Sequence, residues 1–396
     1  MPTAREPLFT VRFASLWLYA FVTFFSAFQL LPAIPLRILD LGGTKAQAGW
    51  FLSVYTFASA FAAPVMGSIA DHVGRRRLLV IASMVFIGFS AAYGLITNLL
   101  LLLLVGLMHG AIWSAILSSA SAIMSEYIPE SRRTQGLAYW GLASTGAVAI
   151  APAVGIVIHH RYGWTVLCIE LAALSAVMTV WALFMPAKKE TRPDTHHSLR
   201  DAWDWRVVKV ALALTVATFG YGGMTSYSAI IAIDRHVKPE SIYLTTFAIT
   251  IVILRLFFSH LGDRLGVKVV LYPALVVIPF AFALLGLAQT KAQMIESAIL
   301  FGIGFGAAYP AFATFILGAT DPARRARTFG SIVWAFDTGI GIGSFAIGAI
   351  AQHTSLTTAF LIAAGLSCFS VPIFAYTSRG LETPSGTSLA AGPEHD

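Results

Sequence analysis

The sequence predicts an all-α membrane protein: twelve transmembrane helices in two six-helix, pseudo-symmetric halves. Three observations predict it. The 396 residues are 57% hydrophobic and only 11% charged, with a mean hydropathy of +0.76, where an ordinary soluble protein carries about 25% charged residues. Apolar runs of roughly 20 residues recur along the whole length, each able to cross a bilayer as a helix. A short charged turn occurs twice, 192 residues apart, and each copy sits between two long apolar runs.

The spans fall near 10–33, 47–70, 78–97, 99–126, 134–158, 164–185, 207–233, 240–261, 268–288, 291–318, 327–351 and 357–376. The first run is long enough to span and is expected to stay in the mature chain, with no signal peptide evident. Most connections are very short. The exception is 186–206, PAKKETRPDTHHSLRDAWDWR, which is polar, charged and Pro-containing. It separates an N-terminal half (1–185) from a C-terminal half (207–378). The Gly-, Ser- and Pro-rich tail, 379–396, is expected to be disordered.

Charge orients the bundle. With the N-terminus in the cytoplasm, the tails, the central linker and the turns on that side hold 19 of the 26 Lys and Arg. The opposite loops hold six: Arg37, Lys45, Arg161, Arg235, Lys238 and Lys291. Residues at the very ends of a span are counted with the adjoining turn, and Arg255 alone lies well within one. Cytoplasmic loops are enriched in Lys and Arg, so both termini are expected in the cytoplasm. The same bias accounts for the net charge of +7 and the pI near 9.5, and no nucleic-acid partner is expected. Cys168 and Cys368 lie in separate apolar runs and read as small buried residues, not a disulfide or metal pair.

The first charged turn reads Gly67-Ser-Ile-Ala-Asp71-His-Val-Gly74-Arg75-Arg76-Arg77. The second reads Ser259-His-Leu-Gly262-Asp263-Arg264-Leu-Gly266-Val-Lys268. Aligned on Asp71 and Asp263, a glycine (Gly74, Gly266) and a basic residue (Arg76, Lys268) fall at equal offsets. A second pair follows: Pro129 and Pro322, and Arg132 and Arg325, are each 193 apart. Matching turns on one face indicate parallel repeats, the pattern of a transporter built from two halves.

These residues resemble the major facilitator superfamily. The G-x-x-x-D-x-x-G-R-R turn between spans two and three is that superfamily's best-known motif. The resemblance covers residues 8 to about 378 and implies the major facilitator fold. A narrower likeness runs through His109-Gly110-Ala-Ile-Trp113, Ile128-Pro-Glu-Ser-Arg-Arg133, Ala151-Pro152-Ala-Val-Gly155 and Phe336-Asp337-Thr-Gly339-Ile-Gly341-Ile-Gly343. It is similar to the twelve-span drug:proton antiporters, in the arabinose-efflux-permease-like branch, which is similar to exporters of sugars, drugs and metallophores. Three departures concern proton coupling. Gly106 stands where an Arg is usual in span four. Ala147 and Ala151 replace glycines of the span-five motif. Span one lacks the acid often found there, leaving Gln29 as its one strongly polar deep residue.

By this resemblance Asp71 and Arg75 form a latch that holds the cytoplasmic side shut, with Gly67 for close helix approach and Gly74 for the turn. Arg76, Asp263 and Arg264 join the same gating set. The alternative is that these are topology signals only. Arg255, one turn before the second copy, needs a partner inside the membrane. A carboxylate or carbonyls near the cytoplasmic mouth are expected, in a gating or structural role.

Asp337 lies near the bilayer midplane, where a charge costs roughly 2.5–3.5 kcal/mol on insertion scales. Protonation removes most of that cost, so a mid-membrane Asp suits a proton carrier. A structural Asp bonded to nearby Ser, Thr or helix ends is the competing reading. His109 has Trp113 one turn later on the same face; it passes a proton or bonds substrate, or is a satisfied core histidine. Glu296, inside the outer end of span ten, is a weaker coupling candidate. Glu170 is expected to pair with outer-loop cations or backbone, and Glu126 to sit beside Arg132 and Arg133. In the implied fold, spans one, four, seven and ten line the central cavity. There Gln29, Trp113, Tyr221, Phe25 and Tyr309 are expected to meet substrate, since aromatic faces with polar tips suit an amphipathic small molecule.

No Gly-Lys-Ser/Thr phosphate loop is present, and no Cys/His spacing suggests a metal. No Ser-His-Asp order is credible, so neither a cofactor nor an enzyme is expected. The leading expectation is proton-coupled export of a small amphipathic molecule by a monomer, in a bacterial cytoplasmic membrane. A proton symporter for a sugar or organic acid, and a sensor without transport, are the alternatives.

Overall fold

A computed structural model of the chain describes residues 7–129, 132–185, 205–258, 265–320 and 325–381. The helices are α1 (Val11–Asp40), α2 (Lys45–Val73), α3 (Arg75–Leu95), α4 (Leu99–Tyr127), α5 (Arg133–Tyr162), α6 (Trp164–Phe184), α7 (Trp205–Asp234), α8 (Ile242–Phe258), α9 (Val267–Leu287), α10 (Lys291–Gly318), α11 (Arg325–His353), α12 (Leu356–Ser367) and α13 (Ser370–Thr377). Among the described residues, eleven segments are long and apolar enough to cross a membrane, and Ile242–Phe257 is a shorter apolar helix. No strand occurs among the described residues. The predicted linker (186–204 of it) and the tail from 382 lie outside the described residues, as do Asp263, Arg264 and Pro322.

Two departures from the expected spans stand out. Helix α1 runs seven residues beyond the predicted end at 33, because Pro32 and Pro35 sit in a wholly buried stretch that holds the helix together. The last span is broken into α12 and α13 at Cys368 and Phe369. Cys368 is exposed there, not buried; Cys168 is buried as expected.

The sequence signals the helix starts. Thr44 and Gln47 make a capping box on α2, as Thr290 and Gln293 do on α10. Asn98 and Ser355 cap α4 and α12. Each cap supplies an acceptor for an amide that the first helical turn leaves free. Gly74 and Gly266, the paired glycines of the two charged turns, both adopt left-handed backbone, with φ of 102° and 91°. A side chain would strain that conformation, so the repeated glycine has a local cause.

Short connections make sequence neighbours antiparallel. The near face is the one where α1, α3, α5, α7, α9 and α11 begin; the far face is the other. Helix α1 packs on α5, α2 on α4, and α3 on α6 and α4. In the second set α7 packs on α11, α9 on α10 and α12, and α8 on α10. The two sets meet along α2–α11 and α5–α8, with a smaller α1–α7 contact.

Interior polar groups are mostly paired, as a membrane interior demands. The Trp17, Trp164 and Trp181 indoles donate to Tyr139 O (2.9 Å), Tyr93 O (2.7 Å) and Ser15 Oγ (2.5 Å). At the far face Arg235 donates to Leu285 O (3.0 Å), Gly286 O (2.6 Å), Ala288 O and Thr357 Oγ1 (3.3 Å). It closes the C-terminal end of α9, where a cation is favoured by the helix dipole, and ties it to α12. Arg235→Ala is expected to destabilise by about 1.5–3 kcal/mol, the scale of charge-assisted bonds. The readout is a lower thermal midpoint in detergent, and an unchanged midpoint contradicts this.

Candidate functional site

Helix α11 carries the site, and small residues bring it there. Thr215 and Thr218 of α7 donate to the carbonyls of Ala335 (3.0 Å) and Phe336 (3.4 Å), the two residues before Asp337. Gly339 and Gly343 let α7 pack backbone to backbone on α11: a Cβ at Gly343 would strike Phe219 O. With its rear face fixed, α11 turns Asp337 toward α2. Asp337 lies 12 residues into α11, about 18 Å from its start at 1.5 Å per residue. The Ser59 hydroxyl of α2 faces its carboxyl group, and Tyr55 of α2 and Tyr309 of α10 are its electrostatic neighbours.

Tyr309 connects the acid to a base. It is also an electrostatic neighbour of Arg255 on α8. Arg255 Nη1 crosses to α5, donating to Gly141 O (3.1 Å) and Thr145 Oγ1 (2.6 Å). Thr145 lies 12 residues into α5, about 18 Å from its start, so Arg255 sits well inside the bundle and not at its mouth. An acid and a base therefore flank one tyrosine where the two helix sets meet. An aromatic wall adjoins them. Tyr309 lies 5.2 Å from Phe336 and 6.1 Å from Phe305 between ring centroids, and Tyr221 lies 4.9 Å from Phe305. On α1, Phe25 stacks on Phe21 at 5.8 Å and Phe21 on Trp17 at 5.8 Å, all half-buried.

Beyond Asp337 the seam tightens toward the far face. Ser53 Oγ donates to Gly341 O (2.8 Å), Ser344 Oγ to Gly49 O (2.9 Å), and Tyr227 OH to Lys45 O (2.8 Å). Ser226 and Ser344 share a 2.7 Å bond. At the rim Lys45 Nζ meets Asp234 Oδ2 at 2.8 Å, both sides well exposed; such a pair contributes little to stability. Residues 29–36 of α1 and 220–232 of α7 are buried throughout, so the far side is sealed.

Several predicted site residues lie elsewhere. Gln29 is fully buried between α1, α5 and α6. Its Nε2 donates to Glu170 Oε1 at 3.0 Å, and its backbone packs on Gly155. It does not line the space between the helix sets, because α5 approaches through a glycine and covers it. Glu170 accordingly bonds Gln29, not an outer-loop cation. Glu296 is exposed on the same face of α10 as Ile299 and Ile303, turned away from the site. His109 is enclosed by Tyr55, Phe86, Phe89 and Tyr93. Its Nδ1 meets Tyr93 OH at 3.1 Å, while its buried Nε2 has no bonding partner. Trp113 is buried edge-on to Phe24 at 5.2 Å.

The gating set divides similarly. Arg75 pairs with Glu126 of α4; the Arg133 side chain lies outside the described residues. Arg76 donates to the carbonyls of Ala182 (3.4 Å) and Leu183 at the end of α6. An added Cβ at Gly67 would meet nothing, so no close helix approach requires that glycine. The Asp71 side chain, with Asp263 and Arg264, lies outside the described residues. The seam residues Ser53, Ser59 and Ser344 escaped the sequence reading. The small-residue spacing Gly49, Ser53, Thr56 on α2, facing Gly341, Ser344 and Gly348 on α11, was the available signal.

The sequence matches the Major Facilitator Superfamily over residues 16–243 and 210–394. The chain belongs to that superfamily. It is a multi-pass membrane transporter and not an enzyme. Among its relatives is an MFS-type transporter of Burkholderia pseudomallei (strain 1106a), 23% identical over 400 residues, with 96% of each chain covered. The multi-drug resistance efflux pump PmrA of Streptococcus pneumoniae (serotype 4) is 22% identical over 372 residues, 87% of this chain and 92% of that one. The fold is shared with the nucleoside transporter NupG, at a TM-score of 0.73, 17% identity and coverage of 93% and 99%. It is shared also with a bacterial homolog of the human lysosomal transporter Spinster in an inward-facing, unoccupied conformation, at 0.77, 14% identity and coverage of 96% and 100%.

Proposed function

We propose that this protein is a proton-coupled exporter of a small amphipathic organic molecule, working by alternating access as a monomer in a bacterial cytoplasmic membrane. Both termini are cytoplasmic, so the sealed far face is the outer one. The halves 1–185 and 207–378 rock about the α2–α11 and α5–α8 contacts, exposing the site to each side in turn.

One observation carries the reading: Asp337 of one half faces the Ser59 hydroxyl of the other across the interface between them. An ionised carboxylate accepts a charge-assisted bond there and holds the lower end of the outer seam. Protonation removes the charge and weakens that bond, while the seam above is made of neutral bonds between small residues. A proton arriving from outside thereby favours the outward-open state, and its release to the cytoplasm favours closure. A ligand moves such an equilibrium only through unequal binding to the two states, and the proton at Asp337 has that inequality. Tyr55 stands between Asp337 and His109, so His109 assists from behind the site rather than in it. Aromatic rings of Tyr309, Phe336, Phe305 and Tyr221 suit an apolar substrate body. The efflux relative PmrA agrees with export.

The test compares cells expressing the chain with cells lacking it. Small molecules are profiled inside and in the medium, with and without a protonophore. A compound that leaves only expressing cells, and only with a gradient, is the expected result. Gradient-driven accumulation inside would replace export by uptake. No gradient-dependent flux of any compound would favour a sensing protein.

A further inference from the structure

Arg255 has binding capacity that the fold leaves unused. A guanidinium has five N–H donors in a planar fork. Both bonds it makes, to Gly141 O and Thr145 Oγ1, leave from the single nitrogen Nη1 and end on neutral acceptors. No carboxylate among the described residues lies within ion-pair distance of it. The one acid of the site, Asp337, faces Ser59 on the other side of Tyr309. A cation at this depth is expensive unless something of opposite charge accompanies it for part of its working life. Pinning α8 to α5 does not require an arginine, since one donor performs it. Arg is the side chain suited to planar, two-pronged recognition of an oxyanion.

We propose that Arg255 binds an anionic group of the transported molecule, a carboxylate, sulfonate or phosphonate, whose apolar body rests on Tyr309, Phe305 and Phe336. This rests on the transport reading and narrows it: the cargo is an amphipathic organic anion. The anion ends on the α8 side of Tyr309 while Asp337 stays on the α11 side, so proton and cargo occupy separate places in one site. Both contacts end on Nη1, so Nη2 and Nε are left to the ligand.

Binding is tested on the purified full-length chain in detergent. Matched probes are titrated and the thermal midpoint is followed: 2-naphthoate against 2-naphthamide, octanoate against octanamide, and naphthalene-2-sulfonate against its sulfonamide. Wild type should prefer at least one anion over its neutral isostere. Arg255→Gln should erase that preference, raising Kd about tenfold or more, the scale of one charge-assisted bond. Arg255→Lys, which keeps charge without the fork, should fall between and serves if the Gln variant does not fold. Thr145→Val keeps the cation and removes one inter-helix bond, so it should retain the preference. The proposal is overturned if no anion is preferred by wild type, or if Arg255→Gln keeps the preference. It is also overturned if Thr145→Val loses the preference as fully as Arg255→Gln, which would make Arg255 only a tie between helices. Anion binding without gradient-driven flux would sink the transport reading and leave this site standing. Gradient-driven flux of neutral compounds, unchanged in Arg255→Gln, would do the reverse.

Discussion

Asp337→Asn is expected to reduce gradient-driven flux to the background of cells lacking the protein, while exchange of substrate across the membrane without net proton movement persists. The asparagine keeps the shape of the side chain and can face Ser59 in the same way, so the fold and the seam remain. It cannot gain or lose a proton, so the seam no longer distinguishes one side's pH from the other's. The groups facing position 337 are Ser59 and Tyr55 from α2 and Tyr309 from α10, with Arg255 beyond Tyr309. None of them is a carboxylate able to replace the lost one. The pH dependence of net flux should therefore flatten in the variant, and exchange should be as fast at low as at high pH. Flux equal to wild type, with the wild-type pH profile, would remove Asp337 from coupling and direct attention to His109, whose Nε2 is buried without a partner.

The fold was legible because the membrane makes it so. Long apolar runs can cross a bilayer only as helices, and glycine, proline and charge punctuate them. The repeat was legible for a similar reason: Gly74 and Gly266 are both forced to positive φ by the same turn. Rotation about the helix axis was not legible. All faces of these helices are apolar, toward lipid and toward protein alike, so periodicity does not separate a lining residue from a buried one. Gln29 shows the consequence. Its depth and polarity suggested the substrate space, yet Gly155 on α5 allows a close contact that covers it, and Glu170 takes its amide.

Asp337 was visible as a lone acid in a span, and Tyr309 and Tyr221 as aromatic residues on presumed lining helices. What Asp337 touches was not visible. Ser59 is one of many small hydroxyl residues, and only the pairing of α2 with α11 selects it. Arg255 was visible as a cation in a span, but its position invited a partner at the mouth. The structure puts its partners about three turns inside α5, which converts a gate residue into one that borders the site.

Gly49→Leu should hold the outer side open and stop transport without unfolding the chain. Gly49 lies four residues into α2, on the face packed against α11 and α7. Its carbonyl accepts from Ser344 Oγ, and a Cβ there would fall on Ser344 O and Tyr227 OH. Backbone on one side and a fully buried tyrosine on the other cannot yield, so α2 must separate from α11 and α7. The cost falls on the closed state, on the order of the 1–3 kcal/mol of an overpacked site or above it. The open state has no such contact and is unaffected. A shift of that size moves the population by about tenfold to a hundredfold. Accessibility reads it directly: in a Cys368→Ser background, Ser53→Cys sits beneath Gly49 on the same seam and Cys168 is buried. A membrane-impermeant maleimide applied from outside should label Ser53→Cys slowly when Gly49 is intact and much faster with Gly49→Leu, while net flux is lost. Unchanged labelling with lost flux would mean that the leucine distorts the site itself, and unchanged labelling with normal flux would mean that the seam around Gly49 is not the outer gate.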